Sequence, residues 1–347
     1  MVKKNRILSV LDISICGLAL ILPSCGNGGP KLPDVSGSEV TIEAVRYEDD
    51  IFGVTDSASY RNLLRMDSSF FDMYLYDVMG DVTRQGFVPF EVEFADYKRF
   101  ITNSDMQHLY NSVAKTYPDL NFLNEELSSA FTYYHYYFPK KFIPKVVTFT
   151  APFRYAIIPA DSLLGIGLDM YLGADFEPYQ SPQLEFPIYR INKFRREYIT
   201  SDAMKAWMLT NFPAIADKKN LLSHIVYEGK ILYSLDRLLP KMQDSLKIGY
   251  KSGGIEWCNA EEKNIWNHLI SSDLLYATEF KSFAGLITDG PFSKGENIPP
   301  EAPPLIATWI GWQIIRSYMS KNPDVTLLEL FEQKTSDDIL QNSGYKP

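Results

Sequence analysis

The sequence predicts an α+β fold that is mainly helical and carries a small, mostly antiparallel sheet. Segments with apolar residues at helical spacing lie on both sides of a block of short β-branched runs. Hydrophobic residues make up 46% of the chain and aromatic residues 14%, which excludes a disordered or fibrous protein. Helices and strands that are segregated in this way are typical of α+β domains.

The N-terminus has the parts of a bacterial lipoprotein signal peptide. A basic start is followed by an apolar run over residues 7–22 and by the sequence Leu-Pro-Ser-Cys at residues 22–25. A small residue such as Ser24 suits the cleavage site, and the thiol of Cys25 can accept a diacylglycerol. We therefore predict a signal peptide over residues 1–24, lipid attachment at Cys25, and a flexible tether over residues 25–40, which is rich in Gly, Pro and Ser.

An uncleaved transmembrane anchor and acylation at Cys16 are the alternatives for this segment. Asp12 interrupts the apolar run, Pro23 ends it, and a glycine-rich segment follows in place of a charged stop-transfer run. Cys16 follows Ile15, which is too bulky for the cleavage site. Both alternatives therefore rank below a lipid on Cys25.

Residues 41–347 are predicted to form a single globular domain that begins with a strand and a helical region. Residues 41–47 alternate as in a strand. Segments with helical apolar spacing follow over residues 56–78, 97–117 and 118–138. Asn121 and Asn124 are candidate caps for the last of these helices.

The central block is the predicted sheet, and helices follow it. Its apolar, β-branched runs cover residues 145–150, 155–158 and 163–168. Because prolines and an aspartate bound these brief runs, we expect hairpins in place of long crossovers. Helical spacing then returns over residues 202–211, 219–238, 260–271, 304–320 and 327–333.

The charge of the chain limits its partners. The formal charge is −9, and the signal peptide carries three basic residues and one acidic residue, so the mature domain is near −11. Such a field repels nucleic acid and anionic lipid head groups, and we predict no nucleic-acid partner. Cys258 is left without a disulfide partner once Cys16 is removed and Cys25 is acylated, so the fold must rest on its core.

The sequence carries no strong catalytic or metal-binding motif. Its four histidines include no His-Glu-x-x-His, and Cys-x-x-Cys, Gly-x-Ser-x-Gly, P-loop and dinucleotide-binding patterns are absent. We therefore predict no catalytic residue, no metal ligand and no cofactor. The one pair with ligand-like spacing is His224 and Glu228, four residues apart on a predicted helix. Because a stable zinc site needs three or four ligands, an ordinary His–Glu pair on a half-buried helix is the preferred interpretation.

Three further features are interpreted as structural. Trp309, Trp312 and Tyr318 form a stripe at helical spacing, which is typical of a helix that faces the core. Arg316 on the same helix is a charge among apolar residues, so it needs a carboxylate partner, and we expect a structural salt bridge. Asp169 lies at a strand end, where aspartate commonly caps a turn.

Several segments, in order along the chain, carry a family resemblance. They are Ala160-Asp-Ser-Leu-Leu-Gly-Ile-Gly-Leu-Asp-Met-Tyr-Leu-Gly173, Tyr227-Glu-Gly-Lys-Ile-Leu-Tyr233 with Leu238-Leu-Pro240, Ile248-Gly-Tyr250, Pro291-Phe-Ser-Lys294, Trp309-Ile-Gly-Trp-Gln-Ile-Ile-Arg-Ser-Tyr-Met319 and Tyr345-Lys-Pro347. Through them the chain resembles the GldB family of gliding-motility-associated lipoproteins of Bacteroidetes. The resemblance implies a role in the cell envelope but no defined chemistry.

A more distant resemblance concerns the fold. A strand with Leu-x-x-x-Leu-Asp, a helix, and a second helix with Glu-Gly are similar to zincin-type zinc peptidases, which implies a zincin-like, degenerate metallopeptidase architecture. In such enzymes two histidines of His-Glu-x-x-His hold the metal and the glutamate activates water. Glu228 would match the downstream ligand, but the helix near residues 200–208 reads Ser201-Asp-Ala-Met-Lys-Ala-Trp207, without histidine. The resemblance therefore implies a peptidase-like fold without peptidase activity.

These features predict a non-enzymatic cell-envelope lipoprotein, associated with gliding motility or its linked secretion machinery, that binds another envelope protein as a scaffold. One alternative is a residual zinc-dependent hydrolase that uses His224, Glu228 and Asp169. Another is a glycan-binding lipoprotein that stacks sugars on the tyrosines within residues 133–137. No aspartate follows Cys25 at the position that retains lipoproteins in the inner membrane. We therefore predict a lipid anchor in the outer membrane, with the domain facing the periplasm.

Overall fold

The structure is a computed structural model that describes residues 32–79, 94–160, 162–214, 219–332 and 334–347. The described residues from Asp34 to Pro347 belong to one compact unit. The predicted signal peptide, the lipid-attachment residue Cys25 and the first part of the tether lie outside the described residues.

Helices precede the sheet in the first part of the fold. They are α1 (Tyr47–Phe52), α2 (Ser57–Met66), α3 (Ser68–Met73), a π-helical segment (Tyr74–Met79), α4 (Phe94–Ile101), α5 (Ser104–Thr116) and α6 (Asn121–Tyr137). Short polar side chains divide the helices predicted over residues 56–78 and 97–117. Asp67 ends α2 and accepts a hydrogen bond from the backbone N–H of Phe70 in α3, and Asn103 caps α5 in the same way. Such side chains end helices because they compete for backbone donors.

The segment predicted as a strand at residues 41–47 is extended, but most of it pairs with a helix. Only Val45–Arg46 forms a strand, β1, and Tyr47 already begins α1. Alternate backbone N–H groups upstream donate to side chains one turn apart on α6: Val40 to Thr132 Oγ1 at 2.9 Å, Ile42 to Ser128 Oγ at 2.8 Å and Ala44 to Asn124 Oδ1 at 2.9 Å. The spacings match because two extended residues span about 6.6 Å and four helical residues about 6.0 Å. We call these three bonds the N-terminal ladder.

The N-terminal ladder corrects the predicted cap of α6. Asn124 lies inside the helix and accepts a bond from Ala44, and Asn121 is the first helical residue. The residue that precedes the helix is Leu120, which makes no side-chain cap. The candidate caps were wrong because a helix start that is fixed by tertiary packing does not need a capping side chain.

The sheet has four described strands in the order β1-β2-β4-β3, where β2 is Lys145–Phe149, β3 is Ile157–Pro159 and β4 is Leu163–Gly167. β2 runs parallel to β1 and to β4, and only β3 and β4 pair antiparallel. The prediction of a mostly antiparallel sheet is therefore wrong for the described strands. β2 and β3 are close in sequence but are not neighbours, because β4 inserts between them. β1 reaches β2 only after helices α1–α6, a connection long enough for parallel pairing.

Gly167 and Asp169 explain how the chain passes from β2 to the far edge of the sheet. The loop between β2 and β3 runs so close to Gly167 that a Cβ atom there would collide with the carbonyl of Tyr155. The fully buried carboxylate of Asp169 accepts hydrogen bonds from the backbone N–H groups of Ala151 at 3.2 Å and Phe153 at 2.6 Å. These two residues therefore hold the loop against the end of β4.

Helices make up most of the chain after the sheet. They are α7 (Ile188–Ile191), α8 (Ile199–Asn211), α9 (Leu221–Leu238), α10 (Asp244–Ile248), α11 (Gly254–Ser271), α12 (Phe280–Ile287), α13 (Ile306–Lys321), α14 (Leu327–Glu332) and α15 (Ser336–Ser343). Asn220 starts α9 with a capping box, in which its side chain and that of Ser223 accept each other's backbone N–H. None of these helices, nor any other in the described ranges, is long and apolar enough to cross a membrane.

Apolar side chains pack on both faces of the sheet, so the fold has three layers. Val147 and Phe149 of β2 join the buried cluster that contains residues of α1–α4. Val146 of β2, with Leu164 and Ile166 of β4, joins the larger cluster that contains residues of α6, α8, α9 and α13. The alternation along β2 follows from the two-residue period of a strand. The predicted class, a mainly helical α+β fold with a small sheet, is confirmed.

Helices α9 and α13 cross at paired glycines in the larger cluster. A Cβ atom on Gly229 would collide with the carbonyl of Gly311, and a Cβ atom on Gly311 would collide with the carbonyl of Ile225. Backbone therefore meets backbone at the crossing, which a residue without a side chain allows. Both glycines lie in segments that carry the family resemblance, so part of that resemblance reflects packing.

Candidate functional site

Arg316 joins three helices through a charged cluster. Its guanidinium, on α13, donates to both carboxylate oxygens of Asp236 on α9 and to Asp244 on α10, each at 2.8 Å. The guanidinium also lies over the ring of Trp312, 3.9 Å from the ring centroid. The bidentate pairing with Asp236 fixes the orientation of Arg316. Asp236 thus supplies the carboxylate that a charge at this position requires.

Lys247 completes the cluster and balances its charge. Its side chain is 5% exposed, and its ammonium lies 2.9 Å from Asp236 and 3.1 Å from Asp244. The indole N–H of Trp312 donates to Asp236 at 3.0 Å. Two cations therefore face two carboxylates, and each oxygen of Asp236 accepts two hydrogen bonds. This satisfied network is the condition under which buried charges are tolerated. We call these residues, Arg316, Asp236, Asp244, Lys247 and Trp312, the Arg316 cluster.

An open groove lies beside the Arg316 cluster. It consists of two depressions of about 870 and 280 Å3, which share Asn192, Tyr198, Lys251, Ser252 and Gly253. Asp244 lines the larger depression, so the cluster forms part of the wall. We call this surface the Tyr198 groove. It includes Tyr250 and Pro291, which belong to segments of the family resemblance.

The rim of the Tyr198 groove is polar and carries both signs of charge. Arg195, Glu197, Lys251 and Glu256 are exposed there. Complementary charges on a partner surface would give such a rim orientation and selectivity. An open groove with charges of both signs is typical of the polar rim of a protein–protein interface. It is less suited to binding one small ion, which needs an enclosed site.

The structure places Asp169 in the core at the end of β4, whereas His224 and Glu228 lie on one face of α9. Asp169 is buried against the β2–β3 loop, and burial raises the pKa of its carboxyl to about 6. His224 is half-buried on α9, with its ring centroid 5.6 Å from that of Phe283 and 6.1 Å from that of Phe280. Glu228 follows one turn later on the same half-buried face. Across the described part of the chain, no three His, Cys, Asp or Glu side chains form a group that could hold a metal ion.

Helix α8, where the peptidase resemblance would put the histidines, packs against the sheet and α9. Its inner face is apolar and buries Met204, Trp207 and Met208. Asp202 in its first turn accepts a hydrogen bond from the hydroxyl of Tyr171 at 2.9 Å. Thr200 in the same turn donates a hydrogen bond to Glu126 of α6, so the helix contributes packing and polar contacts.

The tyrosines within residues 133–137 lie in different environments on α6. Tyr134 is fully buried in the core, whereas Tyr136 is 42% exposed. The ring planes of Tyr136 and Tyr137 are at 88° to each other. The guanidinium of Arg237 lies over the ring of Tyr137. Because a helix turns successive side chains by about 100°, this run is divided between core and surface.

Sequence reasoning did not find the partners of Arg316 or the Tyr198 groove. A signal for Asp236 existed, because it follows Gly229 and Leu232 at helical spacing on a largely buried helix. No such signal marked Lys247, because it is buried only when α9 and α13 pack against α10. The groove is formed by residues of loops and helix ends that are distant in sequence, so no local pattern marks it.

Comparison with known proteins identifies the family. A family model described as "Gliding motility protein GldB" matches residues 29–347, which include the Arg316 cluster, the Tyr198 groove and the glycine crossing. No curated protein and no solved structure gives a significant match. Since the family match spans nearly all of the chain after the predicted signal peptide, the chain belongs to the GldB family of gliding motility proteins.

Proposed function

We propose that this protein is a lipid-anchored envelope lipoprotein that supports gliding motility, or the linked secretion machinery, by binding another envelope protein. Membership of the GldB family carries the proposal. The signal sequence that ends at Cys25 supports the envelope location, and the residues after the cysteine favour the periplasmic face of the outer membrane. An anchor with more than one acyl chain holds a domain stably at a membrane surface.

The proposed role is that of a scaffold without catalysis. Helix α8 reads Ser201-Asp-Ala-Met-Lys-Ala-Trp207 where the resemblance to zincin-type peptidases places His-Glu-x-x-His. The degenerate architecture that this resemblance implies remains part of the proposal. The Tyr198 groove supports a binding role, because its rim is exposed and carries charges of both signs.

The test uses a gliding bacterium that carries this gene. We expect deletion to abolish colony spreading and the wild-type gene to restore it. Lys251→Glu reverses an exposed charge that both depressions of the Tyr198 groove share, and it should fail to restore spreading at wild-type protein levels. The matched control, Lys263→Glu, reverses an exposed charge on α11 that does not line the groove, and it should restore spreading fully.

A photo-crosslinking amino acid at the exposed Ser252 then identifies the partner. We expect it to capture an envelope protein from the wild type, and the capture to be lost in Lys251→Glu. Normal spreading and normal secretion in the deletion strain would refute the motility role. Equal complementation by the Lys251 and Lys263 variants would place the partner elsewhere on the surface. Loss of spreading in a stably folded Glu228→Ala variant would argue for the hydrolase alternative.

A further inference from the structure

A second cavity, which shares no residue with the Tyr198 groove, has three lysines in its wall. It has a volume of about 370 Å3 and lies between the end of α8, one face of α9 and the turn from α14 to α15. Lys141, Lys230 and Lys334 line it. Among the described residues of its wall, Glu332 alone carries a carboxylate. We call this site the lysine cavity.

Lys230 is a buried cation that no described carboxylate neutralises. Its residue is 7% exposed, and its ammonium donates one hydrogen bond within the described structure, to the carbonyl of Lys334 at 2.9 Å. Burial lowers the pKa of Lys230 to about 8, so the ammonium form still predominates at neutral pH. A charge in this state is unfavourable unless an opposite charge is brought to it.

Lys247 provides the comparison, because it too is buried in the described structure. Its ammonium lies within 3.1 Å of two carboxylates, Asp236 and Asp244. The protein therefore provides its own counter-charge for Lys247. Among the described residues it gives Lys230 only the carbonyl of Lys334, a partner without a formal charge.

Two more cations face the same space. The ammonium of Lys141 lies 3.4 Å from the carbonyl of Asn211 and forms no ion pair with a described carboxylate. Lys334 is half-buried at the turn before α15. Glu332 is exposed on the rim, whereas Lys230 is buried, so the balance inside the cavity is positive. Converging cations of this kind are what recognises a carboxylate or phosphate.

The rest of the wall combines an apolar surface with the polar side chains of Asn211, Ser223, Thr335 and Ser336. The rings of Phe212 and Phe331 stack with their centroids 4.4 Å apart, and Val226 and Ala214 line the wall with them. The hydroxyl of Tyr227 is already engaged with the carbonyl of Phe212 at 2.9 Å. A ligand that fills this space therefore needs an apolar body next to its charged head. The volume is within the range of small-molecule sites, roughly 300–1,000 Å3.

We infer that the lysine cavity binds a small organic anion, whose carboxylate or phosphate head pairs with the three lysines and whose apolar body packs against the stacked rings. Ligand binding here would restore charge balance at Lys230 and cover apolar surface in one step. This inference goes beyond the proposed scaffold role and does not depend on it, because it is tested by binding to the purified protein.

The test is calorimetric titration of the purified full-length protein in a non-ionic detergent. The probes are 3-phenylpropionate, phenyl phosphate, inorganic phosphate and the neutral 3-phenylpropanol. We expect both organic anions to bind, the neutral alcohol not to bind, and inorganic phosphate to bind more weakly by at least about tenfold. Lys230→Met, which keeps most of the side-chain volume, should weaken binding by more than about tenfold. Lys263→Met, on the exposed face of α11, should leave binding unchanged.

A second variant guards against loss of folding. Lys141 also lines the cavity and is half-exposed, so Lys141→Met removes a charge from the wall without a change in the core, and it should weaken binding several-fold. The melting temperature of each variant is measured beside the titration. Three results would overturn the inference: no binding of either organic anion to the wild type, equal binding by both variants and the wild type, or binding of inorganic phosphate as tight as that of the organic anions.

Discussion

At the scale of single residues, burial gives charged groups two different fates in this protein. Lys247 and Arg316 share two carboxylates in a network whose charges cancel. Lys230 has a backbone carbonyl as its described partner. The carboxylate of Glu48 is fully buried, accepts a hydrogen bond from the hydroxyl of Thr148 and lies 3.0 Å from the guanidinium of Arg46. The paired charges of Lys247 and Arg316 fix the positions of helices. Buried groups such as Lys230 and Glu48 make the stability of the protein depend on ligands and on pH.

The two buried lysines should respond in opposite ways to the same substitution. Lys247→Met leaves two carboxylates facing one cation, so we expect the free energy of unfolding to fall by about 3 kcal/mol. Lys230→Met removes a charge without a described counter-ion and should change that free energy by less than about 1 kcal/mol, or raise it. Urea unfolding followed by circular dichroism compares both with the wild type. A loss at Lys230 as large as that at Lys247 would contradict this interpretation.

Buried carboxyls should make the protein less stable as the pH rises from 5 to 8. Burial raises the pKa of Glu48 to about 7 and that of Asp169 to about 6, above their ordinary values of 4.5 and 3.8. A raised folded-state pKa contributes stability that is complete below the ordinary pKa and is lost as the pH rises through the folded value. Glu48→Gln cannot ionise, so it isolates this effect.

The expected measurement is the difference in unfolding free energy between Glu48→Gln and the wild type at several pH values. The difference should move in favour of the variant by about 3 kcal/mol between pH 4 and pH 8, because one pKa unit corresponds to about 1.4 kcal/mol. Asp34→Asn is the control, since its carboxylate is exposed and its pKa is lowered, not raised. A difference that does not vary with pH would show that Glu48 stays ionised.

At the scale of elements, the pair α9 and α13 organises the C-terminal half of the fold. The helices meet at Gly229 and Gly311, and further along they are joined by the bond from Arg316 to Asp236. Close backbone packing therefore sets how near the helices lie, and the charged pair sets their register. The Tyr198 groove uses residues that follow α9 and precede α13, and the lysine cavity uses one face of α9.

Gly311→Ala should disrupt the crossing of α9 and α13. The added Cβ atom would collide with the carbonyl of Ile225, so the helices must separate, and we expect a loss of about 3 kcal/mol in the free energy of unfolding. Gly290→Ala is the control, because a Cβ atom there has only an ordinary contact, 3.6 Å from the carbonyl of Phe292. Thermal unfolding of both variants is the measurement, and equal melting temperatures would contradict the close crossing.

The elements also show how far sequence reasoning reaches. Helices such as α9 and α13 were predicted because their apolar spacing is local information. The direction of the strands was not predicted correctly, because it depends on how Gly167 and Asp169 hold the loop between β2 and β3. Residues 41–47 were predicted as a strand, but only Val45–Arg46 forms one, Tyr47 begins α1, and the residues before Val45 pair with α6. Local patterns predict an element, but its partner is set by tertiary contacts.

At the scale of the whole molecule, one compact unit carries two separate candidate binding sites. The Tyr198 groove has an exposed rim with both signs of charge, whereas three lysines line the lysine cavity in a chain whose net charge is −9. A positive site in a negative protein attracts anions only at short range, because salt screens the field beyond about 10 Å. The two sites therefore call for different kinds of ligand.

The location of the whole molecule rests on Cys25, and labelling tests it. We expect wild-type cells to incorporate radiolabelled palmitate into this protein and Cys25→Ala cells not to, because the thiol is the predicted acceptor of the lipid. Cys16→Ala and Cys258→Ala should keep the label. Label that persists in Cys25→Ala and disappears in Cys16→Ala would move the attachment site to Cys16.

The N-terminal ladder also determines how mechanical force enters this domain. A pull on the chain before Asp34 reaches Val40 first, then Ile42 and Ala44, and each of these residues is held to α6 by one backbone hydrogen bond. The segment runs antiparallel to α6, so a pull directed away from the helix loads the three bonds one after another. The parallel pairing of β1 with β2 is loaded only after they open. The domain is therefore joined to its N-terminal segment by three hydrogen bonds in series and by the side chain of Ile42, which is buried in the larger cluster, so a load on this segment reaches the core through Ile42.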